Sequence, residues 1–363
     1  RERGKDIQNI CLQCGTCNTV CGGKLDIAGM ILKLRTKFAQ EDGLNPVHKF
    51  CLDTVADRHL FHSMLRIASV AQGMITKGQP MIRHLPMFLY GLTAGRSLPS
   101  VAPQPFRDIL PTIKQDVPNP KGKIAIFTGC LLDFVYVDIA TDVVKALNMA
   151  GYIVEMPLGQ ACCGAPATYM GDVENAKKAA EMNLNAMEAE KYDYIVSACP
   201  TCTHALRDYV DFFKDDPEML KKAEALRSKT FDFCKLVSML GGLPDTGDGV
   251  PMKVTYHDSC HLNRYLGVTN EQRELLKATK GVELIEMHDC DKCCGFGGSY
   301  SVKFPEMSAP ILEEKINNIV ASGADVVAVD CPGCLLQILL FPGGSSGHRQ
   351  IQGGREHLDA YTL

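Results

Sequence analysis

Val326-Val-Ala-Val329-Asp-Cys331-Pro-Gly-Cys334 reads as a short buried strand that ends on a cysteine and turns into a helix at a proline. Two more pieces stand upstream of it, Cys293-Cys294-Gly295 and the single Cys260. The same constellation occurs earlier in the chain as Cys130, Cys162-Cys163-Gly164 and Cys199-Pro-Thr-Cys202. Superimposing the two sets takes shifts of 130, 131 and 132 residues for the three pieces, so the chain contains a duplication. Ten of its 17 cysteines belong to these sets, and any account of the fold must place them.

The segments between the cysteines repeat as well. Lys123 to Thr128 and Met252 to Tyr256 read as strands that deliver Cys130 and Cys260. Further strands are expected at Tyr152–Met156, Tyr194–Ala198 and Glu283–Met287, with helices at about 138–151, 173–190 and 309–323. Strand, crossover helix and strand in succession argue for parallel pairing, and parallel sheets place their sites at the carboxyl ends of the strands. Residues 205–248 read as a largely helical spacer between copies, with Cys234 a core thiol. The tail from Gly343 reads as loop.

Before the duplication, Cys11-Leu-Gln-Cys14-Gly-Thr-Cys17-Asn-Thr-Val-Cys21 has the bacterial ferredoxin spacing for a cubane [4Fe–4S] cluster. Gly22 stands where a proline usually follows. Cys21 either closes its own cluster or ligates one shared with a motif upstream of Arg1. Residues 24–40 and 47–94 carry helical patterns, the second through Leu60, Met64, Ile67, Val70 and Met74. Within it Cys51 reads as a buried thiol, and His48, His59, His62 and His84 as surface or packing residues. Six prolines between Pro99 and Pro120 mark an extended connector and the best domain boundary. The expected organisation is a helical ferredoxin-type domain at 1–98, a linker at 99–120, and two repeats at 121–250 and 251–363.

A chain of 363 residues is long enough to build real cores, so its cysteines are not needed as the staples of a small secreted scaffold. Their odd number and their CxxC and CC spacing favour metal clusters in a reducing compartment over disulfides. A net charge of −4 argues against nucleic acid as a partner. No apolar run approaches the roughly 18 residues of a membrane span, and no leader pattern is visible. A cytoplasmic protein is expected, reaching the inner face of a membrane only through a partner.

Five thiolates exceed what tetrahedral zinc accepts, so a cluster of several irons fits better, with zinc on four of the five as runner-up. In CPxC the proline suits the first helical turn, whose free amides then face the anionic site. Gly164 and Gly295 supply positions without Cβ, able to adopt φ > 0 beside the double cysteine.

Both quintets resemble the CCG domain, the cysteine-rich module of heterodisulfide reductase subunits B and D. The module also occurs in the iron–sulfur subunits of lactate, glycolate and glycerol-3-phosphate dehydrogenases. The resemblance covers about residues 123–340. It implies an α/β fold of two tandem Rossmann-like CCG domains following a small helical ferredoxin-type domain. It also implies up to two non-cubane [4Fe–4S] clusters: one on Cys130, Cys162, Cys163, Cys199 and Cys202, the other on Cys260, Cys293, Cys294, Cys331 and Cys334. The N-terminal piece is similar to the second ferredoxin motif of lactate-dehydrogenase-type iron–sulfur proteins, where the cysteine loop runs into an apolar helix, as at Leu25 to Arg35. That similarity assigns Cys11, Cys14, Cys17 and Cys21 to one cubane cluster.

His257, Asp258, His261 and Arg264 flank Cys260 in a stretch similar to the family's H-D-x-C-H-x-x-R. They and His204 are read either as hydrogen-bonding or proton-delivering groups near the cluster, or as ordinary cap and turn residues.

No dinucleotide-binding G-x-G-x-x-G follows a strand, so hydride transfer from an organic substrate requires a partner. The resemblance implies an electron-transfer subunit. Its donor would be an FAD-containing 2-hydroxy-acid dehydrogenase of lactate or glycolate type, or an electron-transfer flavoprotein, and its acceptor a quinone-reactive membrane subunit or other carrier. The alternative is a catalytic heterodisulfide reductase-like subunit. A structural zinc scaffold is the third reading.

Overall fold

The computed structural model describes residues 2–76, 81–82, 98–244, 249–339 and 359–361. They form two compact units. One comprises Arg1–Met74 with Val101–Leu243, the other Ile75–Ser100 with Pro244–Leu363.

The first unit is built on a parallel sheet of β1 (Gly122–Ile126), β2 (Tyr152–Glu155), β3 (Tyr194–Ser197) and β4 (Thr230–Asp232), in the order β2-β1-β3-β4. The central strands carry Ile124, Ile126, Ile195 and Val196, all without solvent contact. Full burial of such side chains contributes roughly 1.5–3 kcal/mol each, which explains why near-continuous apolar runs settle in the middle of a parallel sheet. Helices Val137–Met149 and Val173–Met187 connect the strands. The 205–248 stretch is more than a spacer: Tyr209, Phe213 and Leu226 are buried in the core, and Thr230–Asp232 adds the edge strand β4.

Ahead of the sheet lie helices Glu2–Asn9, Ile27–Asp42, Pro46–Ala56 and Arg58–Thr76. Asp26 caps the second by accepting from the Gly29 amide, and Asn45 with Pro46 opens the third. Cys51, expected to be buried, is exposed, because the helix turns Leu52, Thr54 and Ala56 inward instead. Leu60, Met64, Ile67 and Val70 have the expected helical spacing but face outward. The remainder of the expected 47–94 pattern, including His84, lies outside the described residues, apart from a two-residue antiparallel pairing of Met81–Ile82 with Leu98–Pro99 in the second unit.

The Pro99–Pro120 stretch differs from an extended connector. It contains a helical turn at Phe106–Ile109, and Phe106 is completely buried. Arg107 forms an ion pair with the buried Asp133, and Gln115 hydrogen-bonds both the amide and the carbonyl of Val154. Proline density indicates lost amide donors, but the residues between the prolines supply apolar and charged anchors that hold the stretch against the sheet.

The second unit repeats the first sheet with β5 (Met252–His257), β6 (Val282–Leu284), β7 (Val326–Val329) and β8 (Asp359–Tyr361), all parallel, in the order β6-β5-β7-β8. The register repeats too: Ile124 pairs with Tyr194 in the first sheet and Val254 with Val326 in the second. Strand β8 falls in the tail that read as loop.

Candidate functional site

In both units the cysteines converge at the carboxyl ends of the strands. In the first, β1 runs through Phe127 and Thr128 to Gly129 and Cys130. Gly129 has φ 58°, and a Cβ there would lie 2.9 Å from the Cys202 sulfur, so only glycine leaves the approach open. The Cys162-Cys163 loop is tied down by buried side chains. Gln160 accepts from the Thr128 amide and donates to the Ile126 carbonyl. Asn183 accepts from the Ala161 amide and donates to the Cys162 carbonyl, and Tyr209 donates to the Cys163 carbonyl. Cys199 caps helix Pro200–Asp208, with the proline in its first turn, and Cys202 lies one turn inside.

Thiol contacts link Cys130 to Cys162, Cys162 to Cys163, Cys163 to Cys202, and Cys202 to Cys199. The second unit repeats the chain of contacts: Cys260 to Cys293, Cys293 to Cys294, Cys294 to Cys334 at 3.3 Å, and Cys334 to Cys331. Helix Pro332–Leu339 starts at the proline of this copy. Gly164 and Gly295 take φ 81° and 83°, the left-handed conformation expected of them.

The sulfurs are not equivalent. Hydrogen bonds from Cys162 and Cys202 pull the Cys163 thiol down to about 6. Those from Cys293 and Cys334 hold Cys294 well below the ordinary thiol range. Donation to a neighbouring sulfur, followed by burial, pushes Cys130, Cys202, Cys260 and Cys334 upward. A bound cation would displace the protons that remain and convert the thiols to thiolates.

The donor set fits an iron–sulfur group. Five convergent sulfurs exceed the four ligands of a tetrahedral zinc site. The second cradle also contains an orphaned polar group: the His257 ring is fully buried, both its nitrogens lack hydrogen-bond partners, and it lies within 4.8 Å of the Cys294 and Cys334 sulfurs. The Cys290 carbonyl is near that ring without reaching hydrogen-bond geometry. A buried imidazole with no partner is costly, and an acceptor inside the cradle would satisfy it.

The other flanking residues take different roles. Asp258 is buried and held by Arg273 through bonds of 3.0 and 2.8 Å, and Arg273 also binds Glu286. Arg264 donates to the Asp291 carbonyl and carboxylate. His261 lies 3.6 Å from the Cys260 sulfur and stacks on Tyr265, while His204 pairs with Asp208 at 3.3 Å. Cys234 is buried, and Cys290 lies 3.5 Å from Arg273 rather than in the quintet.

In the N-terminal loop, Gln13 at φ 56° and Gly15 at φ 72° fold the backbone around the cysteines. The Gln13 amide donates to the Cys11 sulfur at 3.4 Å. Burial, then the neighbouring Cys11 and Cys14, raises the Cys17 thiol, so these three share one pocket. Cys21 stands at the end of the Thr16–Val20 turn. Arg35 donates to the carbonyls of Gln8, Cys11 and Tyr169, fastening the loop to the helix Ala165–Met170 that follows Cys163-Gly164. Sequence reading placed the cysteines but not Arg35, Gln160, Asn183 or Lys315, the side chains that hold the loops.

Comparison with known proteins bears on the same residues. The cysteine-rich domain named CCG matches residues 124–207 and again 254–339. Lactate utilization protein A of Shouchella clausii is 39% identical over 216 residues, which span 59% of this chain and 89% of that protein. The chain belongs to the CCG family. Lactate utilization protein A of Bacillus subtilis is 36% identical over 228 residues, covering 62% of this chain and 93% of the relative. A probable glycolate oxidase iron-sulfur subunit of Bacillus subtilis aligns over 353 residues at 31% identity, 93% of this chain and 79% of that one. The two CCG matches hold all ten cysteines of the two cradles.

Proposed function

We propose that this chain is an iron–sulfur electron-transfer subunit of an oxidoreductase that oxidises a 2-hydroxy acid of the lactate or glycolate kind. The observation that carries the reading is the duplicated cradle: two sets of five sulfurs, linked in the same order at the ends of two sheets of the same strand order. Relatives whose names refer to lactate utilization and to a glycolate oxidase iron-sulfur subunit support it.

On this reading Cys130, Cys162, Cys163, Cys199 and Cys202 hold one group, and Cys260, Cys293, Cys294, Cys331 and Cys334 a second. Both are of the non-cubane [4Fe–4S] kind, and Cys11, Cys14, Cys17 and Cys21 hold a cubane. Such groups, when bound, accept and release single electrons. The chain's own residues exclude water and set helix N-termini beside the site. Cys162, Cys163, Cys199 and Cys202 are all buried, and helices Pro200–Asp208 and Pro332–Leu339 begin directly after Cys199 and Cys331, which puts their N-terminal ends beside these ligands. Electrons would come from an FAD-containing dehydrogenase or electron-transfer flavoprotein and leave toward a quinone or other membrane carrier. Among the described residues no helix is long and apolar enough to cross a membrane.

Seven of the ten cradle cysteines are buried and Cys130, Cys260 and Cys293 partly so. That degree of burial favours electron transfer over catalytic disulfide cleavage, because an electron crosses a thin protein wall while a disulfide must touch the reacting atoms. The test is an anaerobic preparation with iron, sulfide and zinc counted. Reduction by a lactate- or glycolate-oxidising flavoprotein is then compared with turnover of a mixed disulfide by reduced dye. Rapid reduction without disulfide turnover is the expected result. A colourless, zinc-loaded protein without sulfide would refute the reading, and disulfide turnover would move it to the heterodisulfide reductase-like alternative.

A further inference from the structure

The two cradles correspond residue by residue, and the correspondence exposes where they differ. A Cβ on Gly164 would meet the Ala176 carbonyl and the Ala179 side chain; a Cβ on Gly295 would meet the Ser308 carbonyl and the Ile311 side chain. The helices behind the cradles therefore match at a shift of 132 residues, which pairs Asn183 with Lys315. The strands match at a shift of 130, by their register, which pairs Phe127 with His257.

These pairs are chemically unlike. In the first cradle Phe127 is buried hydrocarbon. Asn183 there is neutral, with its amide engaged by Ala161, Cys162 and Tyr209. In the second cradle the whole of Lys315 is shielded from solvent. Its ammonium donates to the carbonyls of Asp289 and Cys290, at 2.5 and 3.1 Å. Among the described residues no carboxylate lies within ion-pair distance of it. Burial lowers its pKa, and the charges of Cys290, Cys294, Asp291 and Cys334 act in the opposite direction and favour the ammonium. Two other buried carboxylates of this copy are engaged elsewhere, Asp258 by Arg273 and Asp330 by the Tyr256 hydroxyl. The partnerless His257 ring completes the contrast.

We propose, resting on the iron–sulfur reading above, that Lys315 and His257 make the second CCG site the higher-potential acceptor of the two. Reduction adds one electron, and therefore one negative charge, to the site. A fixed ammonium and an imidazole N–H donor stabilise that charge, and net charge and hydrogen bonding to sulfur are what set such potentials. At equilibrium, an electron supplied by the flavoprotein donor resides on the second site, leaving the first oxidised. Lys315 and His257 are positioning residues, since neither is among the sulfur ligands.

The experiment is a redox titration of the intact, anaerobically prepared chain, followed by electron paramagnetic resonance, with Cys163→Ser and Cys294→Ser used to assign the two midpoints. Lys315→Gln keeps hydrogen-bond donors and removes the charge. It is expected to lower only the second midpoint, by at least a tenfold change in the one-electron constant, about 59 mV. His257→Phe, which installs the residue of the first copy, is expected to lower the same midpoint. Asn183→Lys is expected to raise the first, and it keeps the test open if Lys315→Gln does not fold. Coincident midpoints in the unaltered protein, or an unmoved second midpoint in a Lys315→Gln protein with full iron and sulfide, would overturn the proposal. Absence of iron and sulfide from the unaltered protein would instead overturn the cluster reading itself.

Discussion

Arg107→Met tests whether the proline-rich stretch is part of the first unit's core or a tether laid across it. The Arg107 side chain is only 9% exposed and Asp133 not at all. The guanidinium Nε donates to Asp133 Oδ2 at 2.7 Å, and the Arg107 amide donates to Oδ1 at 3.1 Å. Burial pushes the Asp133 carboxyl above its usual range, while the bonds from Arg107 act in the opposite direction. Methionine keeps much of the volume over the Phe134 ring but leaves a carboxylate in the interior without its cation. Breaking a buried pair from one side costs about 3–5 kcal/mol, against less than about 1 kcal/mol for an exposed pair such as Lys145 with Asp142. With a urea slope of about 2 kcal/mol per molar, the unfolding midpoint of the first unit is expected to fall by roughly 1.5–2.5 M. The double variant Arg107→Met with Asp133→Leu is expected to recover most of the loss, since an apolar pair of similar size replaces a buried ion pair at little cost. A loss below about 1 kcal/mol in Arg107→Met would show that the buried Arg107–Asp133 pair holds the stretch no better than an exposed pair does.

Three further outcomes are expected. Cys294→Ser removes the paramagnetic signal of one site and leaves the N-terminal one intact; loss of every signal together would show that the sites form only as one folded whole. Gly171→Ala places a Cβ 2.8 Å from the backbone of Arg35 at φ 82° and is expected to destabilise the first unit by about 1–3 kcal/mol, seen as faster proteolysis between residues 1 and 42. An unchanged digestion pattern would refute that packing argument. His62 is held down to about 3 by burial, then by Arg107, against an ordinary value of 6.5. The unfolded chain therefore takes up a proton below pH 6.5 that the folded chain refuses, and stability falls as the pH drops from 6.5 toward 3. The slope is at most about 1.4 kcal/mol per pH unit, and His62→Phe should flatten unfolding curves compared between pH 7 and 5. Equal slopes in both proteins would remove His62 as the cause.

The duplicated cysteines were legible because their shifts change by only one residue per segment, and strands such as Val326–Val329 announce themselves by unbroken apolar runs. Thr230–Asp232 was hidden: three residues between charged and aromatic neighbours carry no periodicity, and only pairing with β3 makes them a strand. Cys51 was misplaced because its helix is apolar at several positions, and the tertiary packing selects Leu52 and Ala56 for the inside. Composition could not show that Phe106 anchors the proline-rich stretch, since burial there depends on what the sheet offers. Lys315 escaped notice as one lysine in an amphipathic helix; aligning the two copies and finding it opposite Asn183 was the signal that could have revealed it.

The Arg35 clamp also has a consequence for the order of biosynthesis. Its acceptor on Tyr169 lies 134 residues further along the chain. At about 5–20 residues per second, the ribosome delivers that carbonyl roughly 7 to 27 seconds after Arg35 itself. Until that carbonyl arrives the Cys11–Cys21 loop has one of its fastenings unmade, and the clamp closes only once the helix Ala165–Met170 has been made.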